Sequence, residues 1–344
     1  MLAIVKSEKK PGAKLEERPN PKPGPNDVLI KIKAASICGT DAQIYEWNAW
    51  AEKRIKPPII FGHEFCGDVV EVGSMVQTVA VGDFVSAESH IPCGYCFQCR
   101  NDQMHICKNL KILGVDTNGG FAEYISLPSV CAWKNPTTIK PQIASIMEPL
   151  GNAVYTALAD EITGLSVAVF GCGPSGLFTV GVCAASGAGP VISVIKHEFR
   201  RKIAQKMGAA KVLKVGENDI VAEIMKATGG EGVDVALEMS GSPDAIHQAF
   251  QVVKKGGRIS FFGIPTKPVD VNFADEIIFK GLRIYGINGR LMYKTWYKMK
   301  NLLESGKLDP SPVITHEFSF KDFEKGMTAM IAPDRSCGKV ILHP

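Results

Sequence analysis

The sequence predicts an α/β protein of two domains, one β-rich and one built on a doubly wound parallel sheet. Three observations predict it. Between about residues 151 and 290, short apolar segments alternate with helix-length stretches. A Gly-x-Gly-x-x-Gly loop stands between the first such segment and the stretch after it. The first third instead carries short β-type runs punctuated by Pro and Gly. Strand–helix alternation is what a parallel sheet with crossover helices requires, whereas short strands with frequent turns suit an antiparallel domain.

In chain order, Pro19 to Pro25 is a Pro/Gly-rich connector, and Val28–Lys33 alternates as a half-buried strand does. Val69–Gly73 and Gly82–Val85 read as further short strands turned by glycine. The apolar strands of the middle region are Val167–Phe170, Val191–Ile195, Lys211–Val215, Val233–Leu237, Arg258–Phe262 and Leu282–Tyr285. Helices are expected over Pro174–Ser186, Phe199–Met207, Ile220–Thr228 and Pro243–Val253. Six strands make a full dinucleotide-binding sheet. The tail, about 291–344, returns to mixed helix and strand and is expected to rejoin residues 1–150, leaving 151–290 as the sheet domain.

Composition narrows the function classes. The 344 residues are 45% hydrophobic and 22% charged with a net charge of +4, values ordinary for a globular chain. Basic clusters are short (Lys9-Lys10, Lys254-Lys255, Arg200 to Lys202), so nucleic acid is not an expected partner. The first charge, Lys6, follows only a few apolar residues, too few for a secretory core. No window approaches eighteen uninterrupted apolar residues, so no membrane span is expected. Ten cysteines in such a chain read as reduced, which implies a cytoplasmic protein.

Cys93, Cys96, Cys99 and Cys107 form a C-x2-C-x2-C-x7-C run. Thiolates at this spacing converge on one tetrahedral metal, with Zn–S near roughly 2.3 Å, and four sulfurs close the site, making it structural. Two disulfides or four unrelated thiols are the plain alternatives. An iron–sulfur cluster is the chemical rival, but no second cysteine set is present and no Pro follows Cys107.

Gly171-Cys172-Gly173-Pro174-Ser175-Gly176 follows an apolar strand and opens a helix, the context a dinucleotide site demands. Gly171 permits the turn, Gly173 lets backbone N–H groups approach a pyrophosphate, and Gly176 allows close helix–strand packing. Ser175 lies in the phosphate-facing turn, and the helix N-terminus favours anions. The acid that ordinarily ends the second strand of a Rossmann sheet, and binds the adenine ribose, is replaced by Ile195, followed by Lys196. An apolar side chain neither accepts a ribose hydroxyl nor repels a 2′-phosphate, and Lys196 or Arg200 could attract one. The sequence therefore leaves NAD and NADP both open.

A second metal constellation is suggested by Cys38 and by His63-Glu64, taken together with the dinucleotide loop. A catalytic zinc needs few protein ligands and an open position. Cys38 and His63 would supply thiolate and imidazole, while Glu64 and Glu148 are carboxylates that could complete or relay the sphere.

With these residues the chain resembles the zinc-dependent medium-chain alcohol dehydrogenases, and among them most closely the L-threonine 3-dehydrogenases. The likeness is carried by Ser36 to Asp41 (Ser-Ile-Cys-Gly-Thr-Asp), Ile44 to Trp47 with Trp50, Gly62 to Glu64, Ser89 to Cys93, Glu148 to Val154, Ile278 to Gly281 and Thr295 to Tyr297. Pro312 to His316 and Ser336 to Leu342 extend it into the tail. The resemblance implies a GroES-like catalytic domain with a structural-zinc lobe at about 90–110, a Rossmann domain, two zinc ions per chain and a homotetramer. It implies that Cys38, His63 and Glu64 hold the catalytic zinc with Glu148 beside it, and that Cys93, Cys96, Cys99 and Cys107 hold the structural one. Thr40 would start the proton relay, continuing through the cofactor ribose, and His90 would lie near a small-molecule alcohol substrate. Arg200 and Phe262-Gly263-Ile264 match cofactor-contacting positions.

Two departures from the pattern fall on functional positions: Gln43 stands where these enzymes carry a relay His, and Ile195 where they carry an acid. Gln can hydrogen-bond but cannot titrate. The expected reaction is oxidation of L-threonine to L-2-amino-3-ketobutyrate. A polyol or sugar-acid dehydrogenase is the alternative enzyme, and a non-catalytic nicotinamide-binding sensor the alternative of another class.

Overall fold

A computed structural model describes residues 1–334 and 336–344. The chain divides into two compact units, Met1–Pro149 with Ile314–Pro344, and Leu150–Val313.

The first unit is organised around the long strand Asp27–Ser36, which pairs antiparallel with Glu64–Val72, with Tyr124–Pro128 and with Lys339–His343. Phe84–Ala87 and Ala132–Lys134 extend the sheet beyond Glu64–Val72, and Ile314–Ser319 extends it beyond Lys339–His343. Within Asp27–Ser36 the apolar residues Val28, Ile30, Ile32 and Ala34 are buried while Lys31 and Lys33 are exposed. That period of two is what a sheet with one wet face imposes. Phe61, Phe65 and Phe121 are fully enclosed in the core beneath it, each burial contributing roughly 2–3 kcal/mol. The register sets Ser36 opposite Glu64 on one neighbour and opposite Ile341 on the other. It thereby brings three distant segments to one corner of the sheet.

The second unit is a six-stranded parallel sheet in the order Lys211–Lys214, Val191–Ile195, Val167–Phe170, Val233–Glu238, Val253–Phe261, Arg283–Gly286. The order runs outward in both directions from Val167–Phe170, so a topological switch point lies between that strand and Val233–Glu238. Ligands bind such sheets outside the carboxyl ends of the strands at the switch point. The central strands are near-continuous apolar runs because both faces are covered. Every helix expected from the sequence is present, as Pro174–Ala185, Arg201–Lys206, Ile220–Ala227 and Pro243–Val252.

One boundary differs from expectation. Residues 291–313 pack within the second unit and not with the first. Trp296 and Met299 of the helix Lys294–Glu304 are fully buried there, Lys298 Nζ donates to Leu158 O at 3.4 Å, and Arg290 Nη1 donates to Asn152 Oδ1 at 2.9 Å. The mixed pattern of the tail does not reveal this, because the attachment depends on which surface its apolar face meets. Among the described residues no helix is long and apolar enough to cross a membrane.

Candidate functional site: two metal-ligand clusters and a glycine loop

At the corner fixed by the strand register, Cys38 follows the end of Asp27–Ser36 and His63-Glu64 opens the neighbouring strand. One ligand atom each from Cys38, His63 and Glu64 lies within 4.8 Å of the others. The approach to His63 depends on Gly62, whose φ is +89° and where an added Cβ would stand 2.4 Å from the Phe121 ring. Only glycine takes that turn against that ring without strain.

The carboxylate of Glu64 is held from one side. Its Oε2 accepts hydrogen bonds from Ser36 Oγ and from the buried Lys339 Nζ, which also donates to Ile37 O at 3.0 Å. Its Oε1 is buried and has no hydrogen-bond partner. Burial pushes the Glu64 carboxyl above its ordinary range, and Lys339 and His63 oppose that shift. Burial works against a charge on Lys339, but Glu64 and Cys38 outweigh it and raise the ammonium. Asp41 caps the helix Gly39–Glu46 by accepting from Cys38 N at 2.9 Å, and its other oxygen stands 3.5 Å from His63 Nδ1. A carboxylate behind an imidazole fixes the tautomer and orientation of a metal-ligating histidine. Thiolate, imidazole and an orphaned carboxylate oxygen are the donor set of a zinc site with room for a further ligand, so the residues fit that metal.

Glu148 stands outside the three-residue set. Its Oε1 accepts from Ser89 Oγ at 2.7 Å, though its charge still raises Glu64. His90 is buried, with Nδ1 3.3 Å from Glu88 Oε1. Thr40 is half-buried in the first turn after Cys38, and Gln43 is exposed on the same helix.

The four sulfurs of Cys93, Cys96, Cys99 and Cys107 also lie within 4.8 Å of one another. Cys96 Sγ is 3.5 Å from Cys99 Sγ and 3.7 Å from Cys107 Sγ. These separations are far too long for a disulfide, and a tetrahedron with roughly 2.3 Å arms has edges of about 3.8 Å. All ten cysteines are free. Backbone N–H groups of Cys93 and Asn109 donate to Cys107 Sγ, each at 3.3 Å. Burial alone would raise the Cys93 thiol, yet the backbone amides of Tyr95 and Cys96 hold it at about 6. A lowered thiol is a ready metal ligand. The pairing of His90–Ile91 with Lys111–Ile112 closes the base of this lobe.

In the second unit, Gly171 follows Val167–Phe170 with φ +82°, and an added Cβ would lie 2.4 Å from Ser240 Cβ. A Cβ on Gly176 would lie 2.4 Å from Gly171 O, while one on Gly173 would meet nothing closer than Arg200 Nη1 at 3.6 Å. The first and third glycines are thus required by packing, and the second leaves its surface open to a ligand. The helix Pro174–Ala185 has no side-chain cap, and Ser175 sits half-buried in its first turn. Phe262 N and Gly263 N donate to Glu238 O at 2.9 and 3.2 Å, and Ile264 is 87% exposed. Ile195 is fully buried. The cradle fits a dinucleotide pyrophosphate, and it lies at the carboxyl ends of the strands beside the switch point.

Comparison with known proteins agrees with this geometry. The family model for the alcohol dehydrogenase GroES-like domain matches residues 24–137, and that for zinc-binding dehydrogenases matches residues 174–305. An L-threonine 3-dehydrogenase of Pyrococcus abyssi is 51% identical over 342 residues, covering 99% of this chain and 98% of that protein. The chain belongs to the zinc-binding alcohol dehydrogenases. An L-threonine 3-dehydrogenase of Bacillus licheniformis is 48% identical, covering 100% of this chain and 99% of the other. A protein from Sinorhizobium meliloti 1021, assigned as a zinc-binding dehydrogenase and solved with NADP, superposes with a TM-score of 0.91 at 28% identity, covering 100% of this chain and 99% of that one. As a member of this family the protein is an oxidoreductase that uses zinc and a nicotinamide dinucleotide.

Three residues that contact the Cys38, His63 and Glu64 set carried no functional reading in the sequence: Asp41, Ser36 and Lys339. Asp41 had a signal, since an acid three residues after the residue that opens a helix often caps it. Lys339 had a weaker one, as the single charge leading the apolar strand Lys339–His343.

Proposed function

We propose that the enzyme oxidises L-threonine at its secondary hydroxyl to L-2-amino-3-ketobutyrate, reducing a nicotinamide dinucleotide. The observation that carries this reading is the Cys38, His63 and Glu64 donor set in a chain that matches L-threonine 3-dehydrogenases at about half identity from end to end. Zinc bound there would polarise the alcohol oxygen, and a bound nicotinamide would take the hydride. The chain's own residues prepare that chemistry. Lys339 and Ser36 hold Glu64 by Oε2 and leave Oε1 toward the metal position. Asp41 orients His63, and the Thr40 hydroxyl, two residues beyond Cys38, would relay the alcohol proton, accepting it at Oγ1 as it passes its own proton to the next member of the relay. Glu148, hydrogen-bonded to Ser89, supplies a second carboxylate for ligand exchange. Cys93, Cys96, Cys99 and Cys107 hold a second, structural zinc.

The polyol or sugar-acid reading is favoured by one observation, Gln43, which cannot titrate in a relay. The test is to give the zinc-replete protein L-threonine, then polyols, and follow nicotinamide reduction with NAD and NADP in parallel. Turnover with L-threonine that is lost in Cys38→Ser is the expected result. Turnover of polyols alone would transfer the assignment to them. Silence toward every alcohol, with cofactor still bound, would favour the sensor.

A homotetramer and a cytoplasmic location belong to the same reading. The strand Arg283–Gly286 is an edge of its sheet, and Ile278, Phe279 and Ile284 nearby are exposed, which supports self-association. Ten free thiols and no disulfide suit a reducing compartment.

A further inference from the structure

The strand Val191–Ile195 ends where a dinucleotide-binding sheet ordinarily offers a carboxylate to the adenine ribose. Here that position is Ile195, fully buried. Its direction follows from the residue two before it, since alternate side chains of a strand share a face. Ser193 Oγ lies 2.9 Å from the sulfur of Cys172, the second residue of the glycine loop. The face of the strand that turns toward the loop therefore ends in a hydrocarbon side chain.

The groups around this end are cationic. Arg200 Nη1 donates to Cys172 O at 3.3 Å and so lies against the loop. Lys196, the next residue after Ile195, is exposed and has no ion pair or hydrogen bond among the described residues. The carboxylates of the flanking segments are engaged with other cations. Glu198 accepts from Arg201 Nε at 2.6 Å and stands 3.7 Å from Lys214 Nζ, and Glu217 accepts from Lys214 Nζ at 2.5 Å.

We infer that this chain selects the 2′-phosphorylated dinucleotide, NADP(H), over NAD(H), with Ile195 and Lys196 as the specificity-determining residues. The inference rests on the dinucleotide site proposed above and adds which cofactor it takes. An acid at position 195 would give the two ribose hydroxyls of NAD a charged acceptor and would repel a 2′-phosphate. Isoleucine removes both effects. Lys196 then offers a 2′-phosphate a charge-assisted hydrogen bond that a bare hydroxyl cannot match.

The test is a direct binding titration of the zinc-replete protein with NADPH and with NADH, read by nicotinamide fluorescence and without substrate. NADPH should bind roughly tenfold or more tightly than NADH, the scale of a hydrogen bond to a charged group. The gap should narrow as salt is added, because an exposed charge pair is screened. Lys196→Ala changes an exposed side chain and should erase most of the NADPH advantage while leaving NADH unchanged. Ile195→Asp should weaken NADPH and tighten NADH. Equal affinities, or NADH the tighter ligand in the unaltered protein, would overturn the inference while leaving the dinucleotide site intact. An NADPH preference untouched by Lys196→Ala would overturn the role of that lysine. Binding of neither cofactor would remove the site itself.

Discussion

Lys339 shows how a single side chain can hold a candidate metal ligand from behind. A lysine with 3% relative exposure is costly unless its charge is matched, and here the match is Glu64, which touches Ser36 as well. With Oε2 occupied by these two donors, Glu64 presents Oε1 alone. Lys339→Met keeps the length and removes the charge, leaving the Glu64 carboxylate buried without its cation. Breaking a buried pair from one side costs about 3–5 kcal/mol, and a divalent ion bound to Glu64 would offset part of that cost. The expected outcome is a metal-free protein of lower melting temperature, with a larger stabilisation on adding zinc than the unaltered protein shows. Calorimetry with and without zinc measures both. An unchanged melting temperature in the metal-free state would mean that Lys339 does not support Glu64.

At the scale of elements, the cysteine lobe has little apolar packing, and its four converging sulfurs are the candidate that holds it. Its helix, Phe97–Arg100, is four residues long, and Tyr95 and Phe97 are 71% and 72% exposed. With so little apolar burial, a metal bound by the four sulfurs would contribute its binding free energy to the folding of this segment. The ligand spacing is local and legible in the sequence, whereas the lack of supporting core is visible only in the structure. Cys99→Ala should leave the segment from Cys93 to Cys107 open to limited proteolysis and remove one zinc per chain. Dinucleotide binding by the second unit should persist in the same preparation. Protease resistance of that segment after complete removal of zinc would show that packing holds it.

For the whole molecule, the parallel sheet of the second unit ends on Arg283–Gly286, which among the described residues pairs with one strand, Val253–Phe261. An edge strand with exposed apolar neighbours is a template for another chain. Light scattering of the purified protein should give a mass several times the 37.1 kDa of one chain, with four chains expected. Ile284→Lys, which places a charge on that edge, should shift the mass downward while dinucleotide binding remains. A monomer at micromolar concentration would remove the tetramer from the proposed function.

The features legible before folding were local. Six strands and their helices, the glycine loop at Gly171–Gly176 and the spacing of Cys93, Cys96, Cys99 and Cys107 follow from periodicities and separations of a few residues. Their chemistry needs no distant partner to be recognised. The tertiary structure alone decided what meets across the chain. Ser36 faces Glu64 on one neighbouring strand and Ile341 on the other, and this register brings Lys339 to Glu64 across 275 positions. It also gathered Cys38, His63 and Glu64 into one set without Glu148, and placed residues 291–313 with the parallel sheet. Strand register and the choice of packing surface are non-local quantities. They are set by which apolar faces close on one another, and no window of sequence contains both sides of that contact.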